Sequence, residues 1–111
     1  MYTVYSMKKR INTHAKGKRL ELLARKKLEE EGYTIAFKSV FVRFQNIDFA
    51  GLFDIVAYRN RVWKFIQVKS KKNNKVMNEL REWTKKHAPF YTIVELWVWD
   101  SKKKDFDVYQ I

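Results

Sequence analysis

Asp54 stands inside LFDIVAY, an otherwise apolar run in a chain of 111 residues. A carboxylate loses its solvation there, and burying a charge without a partner is costly. Either Asp54 lies at an exposed strand end, or something positive compensates it, and a divalent cation is one such partner. Gln67 and Lys69 close the run VWKFIQVK two positions apart, so in a strand both side chains leave the same face. A carboxylate on one strand, with an amide oxygen and an ammonium on its neighbour, is a workable hydrolytic centre. Asp54 and the Gln67 carbonyl oxygen would hold a hard cation, Mg2+ or Mn2+, which would bring a phosphate and a water together and acidify the water. Lys69 would orient that water or stabilise charge developing on the phosphate. Glu21 is the fourth candidate: it sits at the edge of the apolar stripe of a helix, from which a carboxylate can reach a sheet beneath. Lys27 also falls within that stripe. Taken singly these are ordinary residues, a solvated strand end and two exposed sheet positions; their conjunction points to a site. Asp48, near Asp54 in sequence, could add a carboxylate but reads first as a turn residue.

The elements that must position these side chains are legible in outline. KRLELLARKKLEEE (18–31) is a helix of strong formers, with Leu20, Leu23, Ala24 and Leu28 as its buried stripe and Gly32 at its left-handed stop. Before it, 1–6 reads as a short strand and 8–17 as a basic arm or loop. Residues 33–38 read as a strand, 40–44 as a second strand or extended loop, and 45–51 as a turn region. LFDIVAY (52–58) and VWKFIQVK (62–69) make a hairpin around Arg59, Asn60 and Arg61. Val62, Ile66 and Val68 face the core, and Lys64 snorkels from the strand's start. A second helix runs over 74–87 with Val76, Met77, Leu80 and Trp83 at helical spacing, and Pro89 closes it. Strands at 92–99 and 106–111 follow, joined by a lysine-rich turn. Trp63, Trp83, Trp97 and Trp99 read as core, although an exposed one could stack on a base. The order predicts one α/β domain over 1–111, a mixed central sheet with helices against it.

Charge narrows the function. Lys and Arg number 24 against 12 acids, a net charge of +12 and a pI near 10.0. That surplus attracts polyanions, nucleic acid before an anionic membrane. Lys102, Lys103, Lys104 and the run 69–75 are natural phosphate contacts. His14 and His87 read as surface residues, with a phosphate contact open to His14. The absence of cysteine excludes disulfides and thiolate zinc sites. No apolar run is long enough to span a membrane, and a cytoplasmic setting is expected. No glycine-rich phosphate loop is present, so nucleoside triphosphate hydrolysis is not expected.

KGKRLELLARKKLEEEGY, GLFDIVAY and FIQVKSKK together resemble the PD-(D/E)XK nuclease superfamily, and within it the archaeal Holliday-junction resolvases, over about 17–72. The resemblance implies a restriction-endonuclease-like fold, with Glu21 as the helix glutamate and Asp54 as the metal-binding aspartate. Gln67 falls at the second acid and Lys69 at the catalytic lysine. The metal ligands would then be Asp54, Gln67 and Glu21. It further implies a homodimer cutting DNA, possibly branched, with Mg2+ or Mn2+. Lys16, Lys18 and Arg19 before the cut and Lys71 and Lys72 after it would clamp phosphates. Phe53 replaces the motif's proline, and Gln67 replaces an acid, which removes a negative charge from the metal site. The alternatives are a DNA-binding module on the same fold that has lost its chemistry, a nuclease acting on RNA, and a partner subunit of a larger enzyme.

Overall fold

The computed structural model describes residues 2–43 and 45–111, with side chains from 15 onward except those of 41, 42 and 46. Helix α1 spans Tyr2–Glu30. The strand expected at 1–6 and the loop expected at 8–17 are therefore corrected: from residue 2 onward both are helix, and Met1 and the His14 side chain lie outside the description. Gly17 is the only helix breaker in this stretch. One interior glycine costs about 1 kcal/mol, too little to end a helix of otherwise good formers.

The stop at Gly32 is real. Tyr33 N–H donates to Leu28 O (2.9 Å) and Gly32 N–H to Glu29 O (3.0 Å), the paired bonds of a Schellman motif, with Gly32 at φ +91°. Tyr33 and Leu28 share one core cluster, the apolar contact that accompanies such a stop. Leu20, Ala24 and Leu28 are buried as expected, but Leu23 is exposed. At about 100° per residue Leu23 lies about 100° round the helix from Ala24, whereas Glu21 lies only about 60° away. Glu21 thus takes the flank of the stripe.

Strands β1 (Thr34–Lys38), β2 (Val40–Val42), β3 (Gln45–Ile47), β4 (Ile55–Arg59) and β5 (Val62–Lys69) follow, then α2 (Asn74–His87), β6 (Thr92–Asp100) and β7 (Asp105–Gln110). The main sheet has the order β1-β4-β5-β6-β7, and β2 pairs with β3 as a separate ribbon where a turn region was expected. All neighbours in the main sheet are antiparallel except β5 and β6. A parallel pair needs a crossover, and α2 supplies it. Asn73 caps α2, its Oδ1 accepting from Lys75 N–H (2.8 Å) and Val76 N–H (3.4 Å).

Strand alternation divides the core in two. Ile55, Ala57, Ile66, Val68 and Trp97 pack with Leu20, Ala24 and Leu28 of α1. Val56, Phe65, Val94, Leu96 and Val98 pack with Met77, Leu80 and Trp83 of α2. The result is an α/β architecture, a five-stranded mixed sheet with a helix on each face. Lys64 does not snorkel. Its Nζ lies 3.2 Å from Glu95 Oε1, a buried carboxylate that also accepts from the Trp97 indole N–H at 3.0 Å.

Candidate active site

Asp54 lies one residue before β4, at the point where three chain segments meet. Its N–H donates to Ile66 O (2.9 Å), its carbonyl accepts from Ser39 N–H (2.7 Å), and its Oδ2 accepts from Val68 N–H (2.8 Å). The carboxylate thus stands in for a ladder carbonyl, and the strands part around it. The side chain is held, not free. Asp54 is only 6% exposed, so of the two sequence alternatives the exposed strand end is the wrong one. Continuing the β4–β5 register one step past Ile55↔Ile66 sets Asp54 against Gln67.

Glu21 approaches from α1. Ser39, buried between β1 and β2, donates its hydroxyl to Glu21 Oε1 at 2.5 Å. One serine therefore fixes both acids, Asp54 through its backbone N–H and Glu21 through its hydroxyl. Nothing in the sequence marks Ser39: a lone serine between strands looks like a turn residue, and both its partners are distant in sequence. Lys18 Nζ adds contacts to Glu21 Oε1 (3.4 Å) and Ser39 O (3.3 Å). A residue expected on a phosphate thus faces the carboxylate of the site.

Beside this network lies a cleft of about 200 Å3, lined by Lys16, Gly17, Leu20, Glu21, Val68, Lys69 and Ser70. Gly17 leaves open space here, with nothing within 4 Å of where a Cβ would stand. Lys69 is exposed on the cleft wall and makes no ion pair among the described residues. Gln67 is half-buried on the same strand face, and its Oε1 is buried with no hydrogen-bond partner among the described residues. A buried acceptor left unsatisfied costs about 1–3 kcal/mol. The outer cations Arg19, Lys71 and Lys72 are exposed, with Lys72 Nζ 4.6 Å from the Tyr109 ring centroid. In the β6–β7 turn, Lys103 is taken up by Asp100 and Asp107, which leaves Lys102 and Lys104 as that turn's phosphate candidates.

The electrostatics are those of crowded acids. Burial pushes the Asp54 carboxyl up to about 7; the Val68 N–H acts against this, while the charges of Glu21 and Asp48 and a hydrogen bond with Asp48 raise it further. Asp48 does both things the sequence allowed: its carbonyl accepts from Gly51 N–H at 3.4 Å in a turn, and its side chain hydrogen-bonds Asp54. Among the described residues no three His, Cys, Asp or Glu side chains form a closed metal-binding group. Mg2+ does not need one: it is commonly held by one or two carboxylates, keeping several waters and a substrate phosphate. Asp54, the unpartnered Gln67 oxygen and Glu21 beyond it are oxygen donors of the right hardness.

No family model matches the chain, and no curated protein matches it in sequence.

Proposed function

We propose that the chain is a divalent-metal-dependent endonuclease acting on DNA, on a restriction-endonuclease-like fold of the PD-(D/E)XK kind. The observation that carries this reading is Asp54 itself, a buried carboxylate crowded by Glu21 and Asp48, with Glu21 and Lys69 on the wall of the neighbouring cleft. Such a group is costly to keep unless a cation or a proton neutralises it. Asp54 and Gln67 would hold Mg2+ or Mn2+, with Glu21 on its outer side. The bound cation supplies an acidified water and charge neutralisation at the scissile phosphate. Lys69 orients the water or stabilises the developing charge, and Ser39 keeps Glu21 and Asp54 in register. Lys16, Arg19, Lys71 and Lys72 hold the flanking phosphates, as the net charge of +12 favours. Among the described residues no helix is long and apolar enough to cross a membrane. Branched DNA as substrate and a homodimer that cuts two strands symmetrically belong to the same proposal.

The direct test is cleavage of labelled four-way-junction and linear duplex DNA with Mg2+ or Mn2+. Cutting should stop with chelator, and binding should weaken steeply as salt rises. Tight binding without cutting under either metal selects the second reading, a DNA-binding relative that has lost its chemistry. The observation that favours it is the amide at Gln67.

Gln67→Glu tests that amide as a metal ligand. If Gln67 is a ligand, the added charge lowers the metal concentration for half-maximal cleavage by about tenfold, and it lowers the melting temperature in chelator because another acid joins the crowd. A metal requirement that does not move takes Gln67 out of the donor set.

A further inference from the structure

The end of the sheet remote from Asp54 carries a second feature. β5 spans about 23 Å at about 3.3 Å per residue, with Lys69 at one end and Val62 at the other. At the Val62 end the α2 face is incompletely covered. Tyr58 and Trp63, paired across β4 and β5 with ring centroids 5.1 Å apart, are 37% and 39% exposed. Their alternation puts them on the face of Val56 and Phe65, beyond the last turn of α2. From that turn the chain enters β6 through Phe90 and Tyr91, which are 93% and 76% exposed. Phe90 is the most exposed large apolar residue described.

Tyr91 is also strained. Its φ of +61° lies in the left-handed region, which an aromatic residue rarely adopts. Trp63 N–H donates to Tyr91 O at 2.9 Å and so fixes this conformation against β5. The protein thus holds two rings in solvent, one on an unfavourable backbone, where glycine or asparagine would serve the turn better. Burial accounts for neither ring. Arg61 in the β4–β5 turn and Lys85 in the last turn of α2 are exposed at the same end.

We propose that Phe90 and Tyr91, joined through the backbone to Trp63 and its partner Tyr58, form a platform for unpaired bases of a single-stranded or locally opened nucleic acid. Open aromatic faces stack on bases of any sequence, and flanking cations take the backbone phosphates. Charge selects this occupant: exposed rings on a chain of net charge +12, with Arg61 and Lys85 exposed at the same end of the sheet, suit a polyanion that carries flat apolar groups. The platform is independent of chemistry at Asp54.

The test is binding of labelled oligothymidylate and of a duplex of equal length in chelator, to the wild type and to F90A/Y91N. Both substituted side chains are exposed, and asparagine tolerates the left-handed backbone, so the fold survives; melting temperature checks this. The affinity for the single strand should fall about 10- to 100-fold, and that for the duplex by less than about twofold. The salt dependence should keep its slope, since no phosphate contact is removed. Because both DNAs are bound in chelator, the outcome does not depend on whether the wild type cleaves DNA. Equal losses on both DNAs, or no loss on the single strand, overturn the platform. So does a dimer that F90A/Y91N converts to monomer with single-strand affinity unchanged, which would make the rings a contact between two copies of the chain.

Discussion

Asp54→Ala abolishes metal-dependent cleavage and leaves DNA affinity intact. The expected loss in rate is about a thousandfold or more, since a bound cation contributes several kcal/mol of transition-state stabilisation and each 1.36 kcal/mol is about tenfold. Binding persists because the substitution removes a negative charge from a basic surface and touches no phosphate-binding lysine. Alanine also strips Val68 N–H of its acceptor, 2.8 Å away, at a cost of about 1–3 kcal/mol. Asp54→Asn is therefore the necessary companion, keeping an oxygen for Val68 while losing the charge. Both variants should be inactive, and Asn should melt close to the wild type or above it. Cleavage retained by a folded Asn variant removes Asp54 from the chemistry and ends the reading of Asp54 as the metal ligand of an endonuclease.

The parts of this site differ in how far the sequence discloses them. α2 lies at 74–87 as expected, because its apolar spacing, its Asn73 cap and Pro89 are all local signals. The β4–β5 hairpin is also local, and Asp54, Gln67 and Lys69 stand out there as polar residues in apolar runs. Other features depend on contacts between distant segments. Ser39 meets Glu21 across 18 positions, and Lys18 meets Ser39 across 21, so no window of sequence contains the network. Lys64 looks like a break in the strand pattern until Glu95 on the neighbouring strand is seen 3.2 Å away. The start of α1 is not legible because Tyr2, Thr3, Val4 and Tyr5 have strand-like propensity, and propensity over so short a stretch is a weak guide. The exposure of Phe90 and Tyr91 is equally hidden, since they lie between Pro89 and the strand expected from 92, where no periodicity marks either burial or exposure.

The second large effect is on stability and its dependence on pH. Asp54 ionises at about 3.8 in the unfolded chain and about 7 in the folded one. Because the folded value is the higher, the native state holds the proton more tightly, and stability falls wherever the unfolded chain has already lost it. The contribution is fully present below about pH 4, declines as pH rises towards about 7, and is gone above that. At about 1.36 kcal/mol per unit the loss is about 4 kcal/mol at most. In chelator the wild type should therefore lose melting temperature from pH 4 to pH 8 relative to Asp54→Asn, by about 5–15 °C, although other groups tilt both curves equally. At pH 8 the Asn variant should be the more stable protein. Mg2+ or Mn2+ should then restore the wild type alone, by about 2.7 kcal/mol when present at about a hundred times its dissociation constant. Parallel curves for the two proteins would mean that Asp54 is solvated like any surface acid. A metal that raised both equally would be acting elsewhere on the chain. If instead the gap opens with pH and closes with metal in the wild type only, the instability of an unoccupied Asp54 and its capacity to hold a cation are one property of the same buried carboxylate.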